Sequence, residues 1–140
     1  MPASDVAVEE RPTPSTSVEP VVNDFSIQVA TVNGSGSQTA NLVLLRAIFQ
    51  MGVPVSARNM FPSNIAGLPT WFTIRASKDG YVGWKKKTEV LVAMNPETAR
   101  EDTLNLDADS MVVYDESLKL DGNTEAIYFL TDGEPIRELL

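Results

Sequence analysis

Apolar and polar positions change period several times along the chain, and each change marks a predicted element. Residues 25–32 alternate Phe25, Ile27, Val29 and Thr31 with Ser26, Gln28, Ala30 and Val32 in a β-rich run, which predicts a strand. The next stretch, Asn33-Gly34-Ser35-Gly36-Ser37, is too rich in glycine and polar side chains for either regular element. Over residues 38–51 the apolar positions return every three or four residues, as Leu42, Leu45, Phe49 and as Leu44, Ile48, Met51. That spacing predicts a helix, with Gly52 as its C-terminal cap. Residues 54–57 read as a short second strand, so strand, glycine turn, helix and strand form the first crossover of an α/β fold.

Residues 59–69 contain Pro62, Gly67 and Pro69 and are expected to be an irregular loop. Residues 70–77 alternate again, and Asp79-Gly80 is a two-residue turn signal before residues 81–84, which together predict a β-hairpin. The continuous apolar run at residues 90–94 suits a strand buried on both faces of a parallel sheet. Asn95 is placed to cap a helix that begins with Pro96 and Glu97. Residues 111–114 and 126–130 make two further strands, and residues 134–140 start a helix that stops with the chain, so a domain truncated at its C-terminus is expected. Residues 1–22, with four prolines among Ser, Thr, Val and acidic side chains, are expected to be a disordered leader, because they bury too little apolar surface to offset backbone entropy. No internal repeat is visible.

Composition narrows the chemistry. A chain of 140 residues, 43% hydrophobic, has room for one domain with its own core, and its mean hydropathy of -0.08 is that of a water-soluble protein. No apolar run approaches the roughly 20 residues that cross a bilayer, and the acidic, proline-bearing N-terminus is unlike a secretory signal, so a cytoplasmic location is expected. The formal net charge of -8 disfavours nucleic acid, which would be repelled at long range. Half of that excess lies in residues 1–24. Cys and His are both absent, which removes the usual ligands for zinc or an iron–sulfur cluster, the usual general base, disulfides, and Ser-His or Cys-His nucleophile pairs. Redox metal chemistry, where it occurs, is therefore held by another chain.

The sharpest local feature is Gly34-Ser35-Gly36-Ser37-Gln38 between strand and helix. Backbone N–H groups converge there on the positive end of the helix dipole, and missing Cβ atoms open the approach for a phosphate. A tight β-to-α turn that needs glycine for steric reasons alone has the same pattern. The turn is not a full dinucleotide fingerprint, since Ser37, Gln38 and Thr39 stand where a third glycine would fall, and no P-loop lysine is present. The loop at residues 59–69 sets Met60, Phe61 and Ile65 beside two prolines, as either a functional loop or a satellite of the core; Ser63 and Asn64 offer donors without charge. Lys85-Lys86-Lys87 reads as solvated surface or, less commonly, as a contact to an acidic partner or cofactor phosphates. Arg75 stands mid-strand, where a charge is more often paired than catalytic. Asp107, Asp109, Asp115 and Glu116 lack the spacing of a calcium loop and read as surface carboxylates.

Taken together, four segments carry a more specific resemblance. Residues 29–41 (VATVNGSGSQTAN), 48–56 (IFQMGVPVS), 61–75 (FPSNIAGLPTWFTIR) and 90–98 (VLVAMNPET) are similar to the N-terminal gamma domain of the alpha subunit of 2-oxoacid:acceptor (ferredoxin or flavodoxin) oxidoreductases, the pyruvate and 2-oxoglutarate ferredoxin oxidoreductase family. The resemblance covers roughly residues 23–120. It departs from the family's G-x-G-G-Q-G at Ser37 and Thr39, which bears on how closely a phosphate approaches.

The resemblance implies a Rossmann-like three-layer α/β fold with a mostly parallel sheet plus a β-hairpin, an incomplete gamma-type domain over residues 23–140. It implies a part in oxidative decarboxylation of a 2-oxoacid, such as pyruvate or 2-oxoglutarate, with coenzyme A to acyl-CoA, CO2 and reduced ferredoxin. Thiamine diphosphate with Mg2+ and the iron–sulfur clusters would sit in partner domains or subunits, and the isolated chain would not turn over. Positions carried over as cofactor-binding are Gly34, Ser35, Gly36, Ser37, Gln38, Pro62, Ser63 and Asn64, with no catalytic or metal-binding residue. Two other readings remain open: a stand-alone nucleotide- or CoA-binding α/β module, and a scaffold whose acidic leader recruits a basic partner.

Overall fold

The computed structural model describes residues 23–62, 65–120 and 127–131. The expected leader at residues 1–22, the helix at 134–140 and the site residues Ser63 and Asn64 lie outside the described residues. Strand β1 (Asp24–Val32) is followed by helix α1 (Ser37–Gln50), β2 (Val55–Met60), β3 (Pro69–Ser77), β4 (Val90–Ala93), α2 (Ala99–Leu104), β5 (Met111–Asp115), one 3₁₀ turn (Glu116–Leu118) and β6 (Ile127–Thr131).

The six strands form one sheet in the order β2-β3-β1-β4-β5-β6. β1, β4, β5 and β6 are mutually parallel, while β3 runs antiparallel to both β1 and β2. Side chains alternate across this sheet, and each face is covered by a helix. On one face Val29, Phe72 and Ile74 pack with Ile27, Val92 and the α1 side chains Leu45 and Ile48. On the other, Ala30, Leu91, Ala93, Val112 and Tyr114 pack with Ala99 of α2, Leu120 and the partly buried Trp71, Leu106 and Leu118. The architecture is therefore the expected Rossmann-like three-layer α/β/α fold with a mostly parallel sheet. Among the described residues no helix is long and apolar enough to cross a membrane.

Three local expectations need correction. The second strand does not stop at residue 57 but runs Val55–Met60, because its full length pairs with β3 from Val55↔Ala76 to Met60↔Trp71. The antiparallel hairpin is β2 with β3; residues 81–84 are not a strand, although Gly80 does turn the chain at φ 75°. A short-range turn signal loses here to the long pairing of β3 with β1, which holds Ile74 at 0% exposure. The helix expected from Pro96 begins only at Ala99. Asn95 instead closes a turn ahead of it: its Oδ1 accepts from Glu97 N (2.9 Å) and its carbonyl from Ala99 N (2.9 Å).

The α1 stripe is used differently from its spacing. Asn41, Leu45 and Ile48, one helical turn apart, face the sheet, whereas Phe49 and Met51 are 67% and 79% exposed and Leu42, Val43 and Leu44 are also exposed.

Candidate functional site

In an open α/β sheet, ligands bind beyond the carboxyl ends of the parallel strands. Here that end is framed by the glycine turn after β1 and by Asn95 after β4. β1 and β4 are tied where they finish, by Met94 N donating to Ala30 O (2.9 Å) and Asn95 Nδ2 donating to Thr31 O (3.3 Å). Asn95 is fully buried and Thr31 nearly so. Both groups are thus spent on holding the strand ends.

The turn itself needs glycine for its backbone. Gly34 and Gly36 have φ of 85° and 80°, a region that L side chains rarely adopt. Their surroundings differ. A Cβ on Gly34 would stand 3.5 Å from Ala66 Cβ, whereas one on Gly36 would meet nothing within 4 Å. Gly36 therefore faces open space at the start of α1.

Helix α1 begins there with no side-chain cap and no acidic residue in its first turn, so its positive end is not neutralised locally. Ser35 is exposed and its Oγ accepts from Ser37 N at 3.4 Å, while the Thr31 and Ser37 hydroxyls share a hydrogen bond of 2.7 Å. The far wall is made by Asn59 of β2 with Thr70 and Phe72 of β3, and the loop before β3 braces the glycine turn from behind. Asn33 N donates to Leu68 O (2.7 Å), Gly67 N to Asn33 O (2.9 Å) and Asn33 Nδ2 to Ile65 O (3.1 Å), fastening residues 65–68 to the glycine turn.

A cavity of about 330 Å³ lies between these walls. It is lined by Gly34, Gly36, Ser37 and Gln38 of the expected set, and also by Thr31, Asn33, Thr39, Asn41, Asn59 and Thr70. None of its described lining residues is ionisable. Such a cleft can hold a ligand through backbone N–H groups, amides and hydroxyls, but it has no acid or base to move a proton.

Of the remaining expected positions, Ser35 is adjacent but does not line the cavity. Pro62 lies beyond the end of β2, in a separate depression with Phe61, Met60, Arg58 and Trp71 that touches the first through Asn59. Asn41, Asn59 and Thr70 were not singled out from the sequence. The available signal was Asn41, a buried polar residue in the inward register of Leu45 and Ile48.

The charged candidates are used elsewhere. Arg75 pairs with Asp24 at the opposite end of β1, and its guanidinium holds the Asp24 carboxyl below the usual range. Lys85 pairs with Glu89 (2.5 Å) and Lys87 with Asp109. Asp115 Oδ1 accepts from Ser117 N (2.9 Å). Burial pushes the Asp102 carboxyl up, partly offset by Trp71 Nε1, which donates to Oδ1 at 3.1 Å. Among the described residues no group of three carboxylates could hold a metal ion, and with no Cys or His the chain has no ligands for an iron–sulfur cluster.

The family model for pyruvate ferredoxin/flavodoxin oxidoreductase matches residues 26–138. No curated protein matches. Among solved structures the chain is similar to pyruvate oxidoreductase subunit PORC from Thermotoga maritima, with a TM-score of 0.65 and 16% identity over 84% of this chain and 68% of that one. It is also similar to 2-oxoglutarate:ferredoxin oxidoreductase from Magnetococcus marinus with 2-oxoglutarate, coenzyme A and succinyl-CoA bound (TM-score 0.61, 23% identity, 82% of this chain and 19% of that one). A third is the gamma subunit of keto/oxoacid ferredoxin oxidoreductase from Geobacter sulfurreducens (TM-score 0.57, 15% identity, 76% and 59%). The chain thus spans a fifth of the Magnetococcus chain and about three fifths of the Geobacter one.

Proposed function

This chain belongs to the pyruvate ferredoxin/flavodoxin oxidoreductase family, and from that membership we propose that it is the gamma-type domain or subunit of a cytoplasmic 2-oxoacid:ferredoxin oxidoreductase. The assembled enzyme converts a 2-oxoacid anion such as pyruvate or 2-oxoglutarate, coenzyme A and two oxidised ferredoxins to acyl-CoA, CO2, two reduced ferredoxins and a proton. Thiamine diphosphate, Mg2+ and the iron–sulfur clusters belong to partner domains or subunits. This chain frames the coenzyme A path without catalysing a step.

The observation that carries this reading is the cavity at the start of α1: an uncapped helix end beside amides and hydroxyls, with no ionisable group among its described lining. Amide and hydroxyl groups of a pantetheine arm match such a lining, and a phosphate oxygen matches the free end of the helix. Gly34, Gly36, Ser37 and Gln38 are the proposed contacts, with Ser35 beside them; the family resemblance adds Pro62, Ser63 and Asn64, the last two outside the described residues. The exposed apolar side chains of α1, Val43, Phe49 and Met51 among them, support burial against another chain of the complex.

Affinity purification of the tagged chain from its source cell tests the proposal. Thiamine- and cluster-bearing chains should co-purify, with 2-oxoacid-dependent ferredoxin reduction in the complex and none by the chain alone. Recovery of the chain without such partners, or turnover by it unaided, would remove the proposal. The same cavity favours a second reading, a stand-alone nucleotide- or CoA-binding module. Calorimetry with NAD, ADP and coenzyme A separates the two: micromolar dinucleotide binding by the isolated chain, weakened about tenfold by Gly36→Val, supports the module.

A further inference from the structure

The sheet ends at β2, whose outer edge pairs with no strand among the described residues. An unpaired edge presents a row of backbone N–H and C=O groups to which another extended chain can add. What stands beside this edge is specific. Ser56, Arg58 and Met60 share one face of β2, in register with Arg75, Thr73 and Trp71 of β3. Over that face lies the segment after Gly80, and the Arg58 guanidinium sits 5.9 Å from the centre of the Trp84 ring.

Between them is a cleft of about 180 Å³ whose ionisable lining residues are Arg58, Arg75 and Lys85, with no carboxylate. Arg75 and Lys85 are paired with Asp24 and Glu89, but the described residues place no carboxylate in ion-pair contact with Arg58. Two polar atoms at this cleft lack partners: Oγ of Ser26, a residue only 1% exposed, and Nε of Arg75. Buried polar atoms are normally satisfied, so both point to a missing acceptor. The rim is apolar, with Tyr81, Val82 and Trp84 between 69% and 77% exposed. Exposed aromatics around an arginine are the composition of a protein-binding hot spot. The second depression, with Phe61, Pro62 and Met60, continues along the same edge and shares Arg58.

We propose that the free edge of β2 and the Arg58–Trp84 cleft form a docking site for an extended acidic segment of a partner polypeptide, added as a seventh strand. Its backbone pairs with β2, a carboxylate enters the cleft at Arg58, and an apolar side chain two residues away meets the Phe61 depression, since alternate residues of a strand share a face. Charge complementarity selects the occupant. A second copy of this chain would bring its own Arg58 to the edge, and like charges facing across a strand pair are destabilising. The cleft is also smaller than the roughly 300–1,000 Å³ usual for a small-molecule site and matches a single inserted side chain. The proposal is independent of what binds the glycine turn.

The test uses the full chain and a labelled threonine-based hexapeptide in which a glutamate and a valine stand two residues apart, so that both fall on one face of the strand, with lysine in place of the glutamate as control. Fluorescence anisotropy should show binding of the glutamate peptide only, weakened about tenfold by Arg58→Glu and likewise by Trp84→Ala, each with an unchanged circular dichroism spectrum. Binding should slow amide hydrogen exchange across Val55–Met60. The proposal is overturned by equal binding of the lysine peptide, by no binding, or by binding without protection of those amides. Displacement by millimolar inorganic phosphate would assign the cleft to a small anion instead. Self-association that protects Val55–Met60 would assign it to a second copy. Tighter peptide binding after replacing Asp5, Glu9, Glu10 and Glu19 by alanine would assign it to this chain's own N-terminal acids. Each of those three results also overturns the proposal.

Discussion

The two ends of β1 are built from opposite materials. Where the strand finishes, Thr31, Ser37, Asn33 and Asn95 hold the glycine turn through neutral hydrogen bonds, and the adjoining cavity has no ionisable lining among its described residues. Where it begins, Asp24 pairs with Arg75, and Glu89 accepts from both Ser26 N (2.7 Å) and Lys85 Nζ (2.5 Å). The carboxyl end thus offers only backbone dipoles and neutral side chains around an open cavity. The amino end is stapled by ions, and Arg58, which no described carboxylate pairs, belongs to the edge strand β2 beyond β3. One strand therefore separates a cradle from an electrostatic clasp, and the two should fail in different ways.

The largest effect is expected at the clasp. Arg75 is 12% exposed at its side chain and also donates from Nη1 to Phe25 O (3.3 Å), so Arg75→Ala removes charge-assisted bonds at a buried site. A loss of about 2–3 kcal/mol is expected in urea unfolding, from the charge-assisted bonds and packing of the buried guanidinium, with hydrogen exchange at the glycine turn unchanged in the remaining folded protein. A loss below about 1 kcal/mol would show the clasp to be ornamental.

At the cradle, Asn95→Ala leaves Thr31 O and Glu97 N without their partner and should cost about 2 kcal/mol. Its distinguishing mark is local. Hydrogen exchange should accelerate at residues 31–37 and 97–99 while the amides of β3 stay protected.

The smallest effect lies in the pH profile of stability. The folded Asp24 carboxyl titrates below its unfolded value of 3.8, so its contribution is present above that value and lost as pH falls through the folded pKa. Asp102 has the opposite sign. Its folded carboxyl titrates above 3.8, so stability falls as pH rises from the unfolded to the folded value. Urea midpoints measured on both sides of pH 3.8 should rise less steeply below that value in Asp24→Asn, where Asp109 and Asp115 keep the remainder of the rise, and lose their fall above it in Asp102→Asn. Identical profiles for the two variants would erase the distinction.

The first half of the fold was legible because β1, the glycine turn and α1 are each specified by residues adjacent in sequence: alternation, positive-φ glycines, then a three- and four-residue stripe. β3 was legible as a strand but not in its pairing. Asp79-Gly80 signals a turn whichever partner follows, and the choice of β2 and β1 depends on Phe72 and Ile74 meeting Val29 under α1. The delayed start of α2 was hidden for a similar reason. Asn95 and Pro96 are good helix-opening residues, yet Asn95 is occupied by Thr31, 64 positions earlier. The glycine half of the site could be read because its conformation demands glycine. Asn41 carried a signal in its register with Leu45 and Ile48, but Asn59 and Thr70 carried none, since only the assembled layers bring a helix, an edge strand and its neighbour to one cavity.

β1 is the earliest described strand and lies in the interior of the sheet, hydrogen-bonded on one side to β3 and on the other to β4. A ribosome delivers this segment before either neighbour exists. Its backbone cannot be fully matched until residue 77 has emerged on one flank and residue 93 on the other, so nascent chains carry a β-prone strand with an unmatched edge while residues 33–93 are made. Pausing downstream of residue 93, or a chaperone that shelters residues 24–32 until then, would protect the strand during that interval.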